Sequence, residues 1–469
     1  MKYVTRIAIL GGGPGGYEAA LVAAQLGAEV TLIERDGPGG ACVLTDCVPS
    51  KTLIATSTRM AVLSESASLG VQFSGGPDGE IGGAVVDLPL VDKRVRELAW
   101  AQSADVDRRL AAAGVTVVLG AGRLVEPRVV AVGDERITAD MVLIATGATP
   151  RVLPDAEPDG ERILTWRQLY DLPELPQELI VVGSGVTGVE FAAAYQALGS
   201  RVTLVSSRDR VLPHEDAAAA TVLEEVFRRR GMNVLSRSRA ARVRRSVPGG
   251  TGDGVVVTLA DGREVAGSHC LLTVGMVPNT RGIGLEEAGV RLDDHGFIVV
   301  DKVSRTSAGN VYAAGDCTGI MMLASVAAMQ GRIAMWHGLG EAVQPLKLGW
   351  VAATIFTDPE VATVGVTQRM VDSDEVEART VTLPLSTNAR AKMQAFGDGF
   401  VKLFCRPATG IVLGGVIVAP RASELVLGLS VAVQQHLTVD QLAHTFAVYP
   451  SLSGSITEAA RRLMQDSPY

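Results

Sequence analysis

The chain has 469 residues, of which 47% are hydrophobic and 20% are charged, and its formal net charge is −8 at pH 7. This length suffices for about three domains with sizeable cores, and the composition predicts a globular protein. The negative balance argues against nucleic acid as the main partner, because attraction to a phosphate backbone needs clustered Lys and Arg.

The first residues, MKYVTRIAILGGGPGGYEAALVAA, place basic side chains before an apolar run, but glycines interrupt that run within a few positions. We therefore predict neither a secretory signal nor a membrane span. The five cysteines are too few to staple a chain of this length. A cytoplasmic location is the corresponding expectation.

The strongest organisational signal is an internal repeat. The segment RIAILGGGPGGYEAALVAAQLGAEVTLIE recurs as LIVVGSGVTGVEFAAAYQALGSRVTLVS. In each copy a β-branched run ends at a glycine turn, and an alanine-rich stretch then leads to a second β-branched run. This order is typical of a buried parallel strand, a crossover helix and a second strand. The repeat predicts two nucleotide-binding units.

The first unit carries the complete glycine pattern G-x-G-x-x-G at Gly11, Gly13 and Gly16, with Pro14 after the second glycine. Such a turn lets the backbone approach a pyrophosphate, which would rest on the N-terminus of the helix. Glu34 ends the following strand about 20 residues further on, where a carboxylate accepts hydrogen bonds from ribose hydroxyls.

The second unit repeats the pattern at Gly183, Gly185 and Gly188, but its second strand ends in Ser206 and Ser207 instead of an acid. Arg208 and Arg210 follow directly. Loss of the carboxylate and gain of guanidinium groups suit a 2′-phosphate, which favours NADPH over NADH. The alternative is that these arginines are ordinary surface residues.

The regions between and after the repeats show weaker patterns. We predict a polar, glycine-rich stretch near residues 74–83, a long helix around residues 91–113 and a strand that ends at Gly147. Pro150 and Pro154 indicate a domain crossing. A hairpin with the turn VPGGTGDG follows the second repeat, and the strands LLTVGMVPN and NVYAAGDCTG return toward the nucleotide sites. From about Leu346 the pattern becomes strand-rich and then helical from Glu424, as in a third domain that caps the site or builds a dimer.

Two cysteines, Cys42 and Cys47, lie in GGACVLTDCVPSK directly after the first unit. A dithiol that exchanges with a disulfide needs a base of near-neutral pKa beside it. Two small buried residues without chemistry are the alternative. A zinc site is less favoured, because the sequence offers no second ligand pair.

Two dinucleotide sites in one chain imply electron transfer between two cofactors, most commonly a flavin and a nicotinamide. Here the chain resembles the flavoprotein disulfide reductases of the glutathione-reductase and lipoamide-dehydrogenase type, and the likeness runs nearly end to end. The motifs that carry it follow in family order: GGGPGG, GGACVLTDCVPSK, ATG at residues 145–147, GSGVTGVE, TVGMVPN, YAAGDCTG and FTDPEVATVG.

The resemblance implies an α/β protein with two Rossmann-like dinucleotide-binding domains and an α+β C-terminal dimerisation domain. It divides the chain into an FAD-binding domain at residues 1–150 and 277–345, an NAD(P)-binding domain at 151–276, and an interface domain at 346–469 of a homodimer. The implied FAD site adds to the glycine turn and Glu34 the residues Arg35, Gly40, Ala41, Gly122, Thr146, Gly147, Ala148, Asp316, Leu323 and Ala324. Gly275 would lie near the nicotinamide.

The resemblance also assigns roles around the flavin. Lys51 and Glu190 match an ion pair beneath the isoalloxazine ring, although a surface lysine and an ordinary helix glutamate are the alternative. Cys47 would contact the flavin and Cys42 would attack substrate. Hydride from the nicotinamide would reduce the flavin, the flavin would reduce the pair, and Cys42 as a thiolate would open a disulfide.

The departures from the family pattern are informative. The family's histidine base and the glutamate five residues beyond it, both supplied by the partner subunit, are replaced by Tyr449 and Gly454. Exchanging a group of pKa about 6.5 for one of about 10 is a handicap on the order of 4 to 5 kcal/mol at pH 7. Tyr449 can still donate a hydrogen bond. Asp46 stands where the family has glycine, and a carboxylate there disfavours a neighbouring thiolate.

None of the six histidines matches the missing base. His444 lies five residues before Tyr449, and the others fall outside the site motifs: His214, His269, His295, His337 and His436. We expect all six to be surface or packing residues.

The sequence therefore favours an FAD-dependent NAD(P)H dehydrogenase that passes electrons through its flavin to a diffusible quinone, as in the quinone-reductase relatives of lipoamide dehydrogenase. The alternative is a dihydrolipoamide dehydrogenase or other disulfide reductase that uses Cys42 and Cys47, with the pair as a redox switch in a milder form. A flavin-binding interaction protein is a third possibility, disfavoured by two intact nucleotide sites. No metal site is predicted, and no amphipathic membrane anchor is evident.

Overall fold

The computed structural model describes residues 3–71, 84–246 and 253–465. The whole glycine-rich stretch predicted near residues 74–83 and most of the turn predicted at 247–254 lie outside these ranges. None of the helices in the described ranges is long and apolar enough to cross a membrane.

Strands occur in every part of the described chain. In chain order they are β1 (Arg6–Leu10), β2 (Glu29–Glu34), β3 (Thr116–Leu119), β4 (Gly122–Glu126), β5 (Val129–Val132), β6 (Glu135–Thr138), β7 (Met141–Ile144), β8 (Ala148–Pro150), β9 (Ile163–Leu164), β10 (Glu178–Val182), β11 (Arg201–Val205), β12 (Asn233–Leu235), β13 (Ala240–Arg245), β14 (Val255–Leu259), β15 (Glu264–Gly267), β16 (His269–Leu272), β17 (Met276–Pro278), β18 (Val311–Ala313), β19 (Ala352–Ile355), β20 (Glu360–Gly365), β21 (Arg379–Pro384), β22 (Phe400–Cys405) and β23 (Val412–Ala419).

One α-helix connects the first two strands of each repeat, and three α-helices end the described chain. They are α1 (Pro14–Gln25), α2 (Gly40–Leu44), α3 (Cys47–Glu65), α4 (Leu88–Ala112), α5 (Val186–Leu198), α6 (Ala217–Arg229), α7 (Ala324–Gly338), α8 (Gln368–Asp372), α9 (Ala389–Met393), α10 (Ala422–Gln434), α11 (Val439–Ala443) and α12 (Gly454–Gln465). Short 3-10 turns lie at Ser66–Leu69, Trp166–Asp171, Asp316–Thr318, Leu348–Trp350 and Leu385–Thr387.

The described chain forms two compact units, of which the first comprises Met1–Thr52, Asp92–Arg151 and Gly275–Lys347. Its main sheet has the order β18-β7-β1-β2-β3 and is parallel throughout. Alternate residues of β1 face opposite layers, as the pleat requires. Ile7 and Ile9 pack with the alanines of α1, whereas Ala8 and Leu10 pack with the three-stranded β4-β5-β6 layer. A strand covered on both faces explains the uninterrupted apolar run.

The second unit comprises Leu53–Val91, Val152–Val274 and Leu348–Tyr469. Its parallel sheet has the order β12-β11-β10-β16-β9, in which β10, β11, β12 and β16 correspond to β1, β2, β3 and β7 of the first sheet. The edge strands differ, because β9 precedes β10 in the chain whereas β18 follows β7. The predicted hairpin is the β13-β14-β15 sheet, which is antiparallel. A second, antiparallel five-stranded sheet, β19-β20-β23-β22-β21, packs against α10 and α12.

A buried ion pair lies within the second unit. Asp216 precedes α6, and one of its carboxylate oxygens accepts hydrogen bonds from the backbone N–H groups of Ala218 and Ala219. The Nζ atom of Lys402 on β22 donates to the other oxygen at 2.7 Å. The side chains of Lys402 and Asp216 are only 7% and 2% exposed. The N-terminus of α6 is thus tied to the antiparallel sheet through one carboxylate.

Candidate functional site

The glycine turn of the first unit forms where β1 ends. Gly11 donates its N–H to the carbonyl of Ile33 at 2.8 Å, and α1 begins at Pro14. A Cβ atom on Gly16 would overlap the carbonyl oxygen of Gly11, so helix and turn approach too closely for any side chain. A Cβ on Gly13 would meet nothing within 4 Å. The turn therefore leaves an open cradle in front of the first backbone N–H groups of α1, which fits a pyrophosphate.

Glu34 ends β2 beside this turn and is only 7% exposed. Its carboxylate accepts hydrogen bonds from the backbone N–H groups of Gly12, Arg35 and Asp36, the last two at 2.7 and 2.8 Å. The predicted acid is thus a fixed anion at the edge of the cradle, where it can accept bonds from ribose hydroxyls.

The loop before the cysteines folds onto the glycine turn. Gly39 donates its N–H to the carbonyl of Gly12 at 2.9 Å, and a Cβ on Gly40 would lie 2.9 Å from the Cα of Gly13. These contacts place the start of α2, including Ala41, at the cradle. Cys42 lies on α2 and Cys47 is the first residue of α3. Because the loop before α2 contacts the glycine turn, both cysteines lie close to the predicted flavin site.

The two thiols are free, partly exposed and in mutual contact. The pKa of Cys42 is raised above its ordinary value, first by the hydrogen bond with Cys47, then by burial and by the negative charges of Cys47, Asp46 and Asp316. Burial and the nearby charge of Asp46 raise the pKa of Asp316 to about 6. Because only the thiolate attacks a disulfide, this raised pKa opposes nucleophilic attack by Cys42.

The turn that carries Asp316 and the turn that carries Thr146 are each held by a residue that the motif analysis did not select. The backbone N–H of Gly315 donates to the Oε1 atom of Gln330 at 2.8 Å, and the Nε2 atom of Gln330 donates to Thr318 at 3.3 Å. Asn279 donates through Nδ2 to the carbonyl of Thr146 at 2.9 Å. Gln330 is 1% exposed, and its position in the chain gave no signal of this contact.

The glycine turn of the second unit has the same geometry. Gly183 donates its N–H to the carbonyl of Val205 at 2.9 Å, and a Cβ on Gly188 would overlap the carbonyl of Gly183. A Cβ on Gly185, which precedes α5, would again meet open space. The second unit therefore offers an equivalent cradle for a phosphate group.

The end of β11 differs from the end of β2. Ser206 is fully buried, and its hydroxyl lies 2.7 Å from the hydroxyl of Ser184, a residue that the sequence analysis did not select. The N–H of Arg208 donates to Ser206 at 3.1 Å, and the Ser207 and Arg208 side chains are exposed. A neutral hydroxyl pair thus stands where the first unit has a carboxylate, with a cation directly outside.

The remaining predicted residues are distributed over both units. Lys51 lies one turn beyond Cys47 on α3 and is half-buried. Glu190 on α5 is 4% exposed and accepts a hydrogen bond from the backbone N–H of Phe356 at 2.8 Å. Because Lys51 and Glu190 belong to different units, their ion pair stays a prediction. Tyr449 is 85% exposed.

The predicted contacts of the flavin site lie at element boundaries in the first unit. Gly122 and Ala148 begin β4 and β8, Leu323 precedes α7, and Ala324 begins it. Other positions lie in loops or beyond strand ends: Gly147, Gly275 and Arg35. The Arg35 side chain pairs with Asp36 at 2.9 Å on the surface.

A scan against protein-family models matches residues 5–331 to the pyridine nucleotide-disulphide oxidoreductases and residues 351–460 to the dimerisation domain of the same family. The chain belongs to the pyridine nucleotide-disulphide oxidoreductase family. The predicted resemblance and the predicted fold class are confirmed. Membership implies the use of a flavin, FAD, and of a nicotinamide nucleotide.

Two relatives of this chain within the family are named as enzymes with different activities. The chain is 57% identical over 475 residues to the NAD(P)H dehydrogenase (quinone) of Mycobacterium tuberculosis, which covers 98% of this chain and 94% of that protein. It is 33% identical to the dihydrolipoyl dehydrogenase of Zymomonas mobilis, over 96% of both chains.

Solved structures agree. The crystal structure of LpdA from Mycobacterium tuberculosis superposes with a TM-score of 0.91 at 56% identity, covering 98% of this chain and 100% of that one. The HOCl-induced flavoprotein disulfide reductase RclA from Escherichia coli gives a TM-score of 0.85 at 24% identity, over 97% of this chain and 99% of that one. The second likeness supports the fold alone.

Proposed function

We propose that this family member is an FAD-dependent NAD(P)H dehydrogenase whose electrons leave through the flavin for a quinone-type acceptor. A bound flavin takes up a hydride from a nicotinamide and returns electrons to an acceptor. The observation that carries this choice is at the end of the chain, where Tyr449 and Gly454 replace the base and the carboxylate that disulfide exchange requires. The relative at 57% identity, named as a quinone dehydrogenase, supports the same choice.

The residues of the first unit would hold the FAD. We assign the pyrophosphate to the cradle at Gly11, Gly13 and Gly16, the ribose to Glu34, and the ribityl region to Asp316. Lys51 and Glu190 would lie beneath the isoalloxazine ring, and the remaining contacts are those at Gly40, Ala41, Gly122, Thr146 to Ala148 and Leu323 to Ala324. We keep the predicted domain bounds, a homodimer and a cytoplasmic location as parts of this proposal.

A comparison of acceptors tests the function. The purified holoenzyme is supplied with NADPH or NADH and either a benzoquinone or lipoamide, and initial rates are compared. We expect quinone reduction to exceed lipoamide reduction by at least about a hundredfold, because disulfide exchange lacks the histidine base that would form the thiolate. Faster lipoamide turnover would exclude the proposal.

A gain-of-function variant sharpens this test. Tyr449→His combined with Gly454→Glu restores the missing base and carboxylate, and should raise lipoamide turnover while quinone reduction changes little. Each single substitution is the matched control, because neither supplies the complete pair. If the double variant gained nothing and still bound FAD, the missing base would not be the reason for the choice of acceptor.

The nucleotide preference is a finer part of the proposal. Ser206 and Ser184 leave no carboxylate to repel a 2′-phosphate, and the exposed Arg208 can pair with it. We expect Arg208→Ala to raise KM for NADPH about tenfold and to leave KM for NADH nearly unchanged. Arg201→Ala, which alters an exposed arginine at the opposite end of β11, is the control. Equal losses with both nucleotides would contradict the assignment.

The second candidate function is a disulfide reductase, favoured by the contact between Cys42 and Cys47. In that case Cys42→Ala would abolish turnover with dithiol and disulfide substrates, while the flavin could still pass electrons directly to a quinone. Unchanged turnover of Cys42→Ala with every acceptor would exclude this candidate.

A further inference from the structure

Asp46 lies between Cys42 and Cys47 in the chain, and hydrogen bonds hold its backbone on both sides. Its backbone N–H donates to the carbonyl of Ala41 on α2 at 2.8 Å, and its own carbonyl accepts from the N–H of Ser50 at 2.8 Å. Asp46 is therefore the residue that immediately precedes α3, whose first residue is Cys47. The chain is fixed on both sides of this carboxylate by main-chain hydrogen bonds.

The start of a helix favours a negative charge. The unpaired N–H groups and the helix dipole stabilise an anion there, and a cysteine at this position is ordinarily activated as a thiolate. In this chain Asp46 brings a carboxylate to the N-terminus of a 19-residue helix, beside Cys47. An anion is already present where a second anion would have to form.

The titratable groups of the described residues that interact with Cys42 carry no positive charge. They are Cys47 and Asp46 from the start of α3, Asp316 from the turn after β18, and Tyr17 from α1. Each of them is neutral or negative. The cation Lys51 lies one turn further along α3. The direction of the Cys42 pKa, which is raised in part by Asp46 and Asp316, agrees with this surrounding charge.

We propose that Asp46 is a specificity-determining residue that keeps the reduced Cys42 and Cys47 pair from acting as a nucleophile toward disulfides. This inference rests on the proposed function, in which electrons leave through the flavin. It assigns the choice of acceptor to a residue on the flavin side of the site as well as to the missing base.

The disfavoured step is thiol-disulfide exchange. Cys42 loses its proton to solvent, and its thiolate attacks one sulfur of the substrate disulfide and expels the other as a thiolate. Cys47 then loses its proton and attacks the Sγ atom of Cys42, which releases the first sulfur. Two electrons pass from the pair to the substrate, and two protons pass to solvent. The first proton loss is opposed by the Asp46 charge.

Alkylation of the reduced holoenzyme measures this opposition without any turnover. The protein is reduced with dithiothreitol, desalted without oxygen and treated with iodoacetamide from pH 6 to pH 10, and mass spectrometry of the peptide at residues 36–51 follows Cys42. In Asp46→Asn we expect alkylation about tenfold faster at pH 7 and a midpoint about one pH unit lower than in wild type. Asp46→Gly should shift the midpoint in the same direction.

Asp134→Asn is the matched control, because it removes one negative charge from an exposed turn between β5 and β6. The buried Cys270, Cys317 and Cys405 serve as internal controls for folding, since they should stay unlabelled. An unchanged profile in Asp46→Asn, or an equal shift in Asp134→Asn, would overturn the proposal. The readout does not depend on quinone reduction, so a failure of the proposed function would be seen separately in the acceptor comparison.

Discussion

The two nucleotide-binding units are built on one plan but end their second strands differently. In both, the residue at the end of the second strand, Glu34 or Ser206, bonds to the residue that follows the first glycine of the turn. Glu34 in the first unit accepts three backbone N–H groups, including that of Gly12, whereas Ser206 in the second bonds to the Ser184 side chain. One position thus holds a fixed anion in one unit and a neutral hydroxyl pair in the other. In our proposal the glycine turns hold the nucleotides, and this single position contributes to which nucleotide each unit favours.

Substitution of the third glycine of the turn, which both units share, should have the largest effect on stability. Gly16→Ala and Gly188→Ala each place a Cβ atom against the carbonyl oxygen of Gly11 or Gly183. We expect each to lower the free energy of unfolding by at least about 3 kcal/mol, because two backbone segments must separate. Urea unfolding followed by circular dichroism measures the loss.

The control for these variants is Gly13→Ala, whose Cβ atom would meet open space. It should unfold at the wild-type urea concentration and yet bind FAD less tightly, because its methyl group points into the cradle. A destabilisation as large as that of Gly16→Ala would show that helix packing is not what the third glycine secures.

Substitutions at the ends of the second strands should have an intermediate effect on stability, and the effect should be larger in the first unit. Glu34→Gln replaces a carboxylate that three N–H groups share, and should lower the free energy of unfolding by about 2 kcal/mol. Ser206→Ala removes one hydroxyl partner and should cost about 1 kcal/mol. Urea unfolding at pH 7 compares the variants, with Ser207→Ala, an exposed neighbour, as the control. Equal costs would mean that the carboxylate is no better held than the hydroxyl pair.

The smallest effect concerns His269, a titratable residue of the second unit at a position where the first unit has Met141. His269 begins β16 at the position that Met141 holds in β7, since they align with Leu179 and Ile7 of the matching strands. Its imidazole is 4% exposed, and Arg162 donates to its Nε2 atom at 3.0 Å. Burial, followed by the positive charges of Arg162 and Arg245, lowers its pKa to about 4.

The sign of the resulting pH dependence follows directly. Below the unfolded pKa of 6.5 the unfolded chain binds a proton that folded His269 refuses, so stability is lost as the pH falls from 6.5 to about 4. His269→Met, which introduces the residue found at this position in the first unit, should remove less than about 1 kcal/mol of that loss. Thermal unfolding from pH 7 to pH 4 measures it, with exposed His295→Gln as the control. Identical profiles in wild type and His269→Met would refute the assignment.

Much of the fold was predictable because its signals are local. The glycine spacings, the apolar runs of β1 and β10 and the alanine-rich helices after them appear where the repeat places them. The helix predicted around residues 91–113 spans Leu88–Ala112. The predicted strand that ends at Gly147 stops at Ile144, because the last three residues of MVLIATG form the turn toward β8.

The supporting residues of the site could not be predicted in the same way. Gln330 reaches the Asp316 turn from α7, and Ser184 reaches Ser206 across 22 positions. Neither has a characteristic spacing from its partner, so only the packed chain identifies the contact. The ion pair of Lys402 with Asp216 joins residues 186 positions apart and likewise carried no sequence signal.

The sequence by itself determined the two nucleotide-binding units and the cysteine pair, because these depend on residue types at short, fixed spacings, and the family resemblance identified Tyr449 at the position of the base. The charge of Asp46 beside the pair was also predictable, because Asp46 directly precedes Cys47 in the chain. Only the tertiary structure showed that Asp316, from the turn after β18, also acts on Cys42. Charge interactions depend on distance in space, which the chain order does not record.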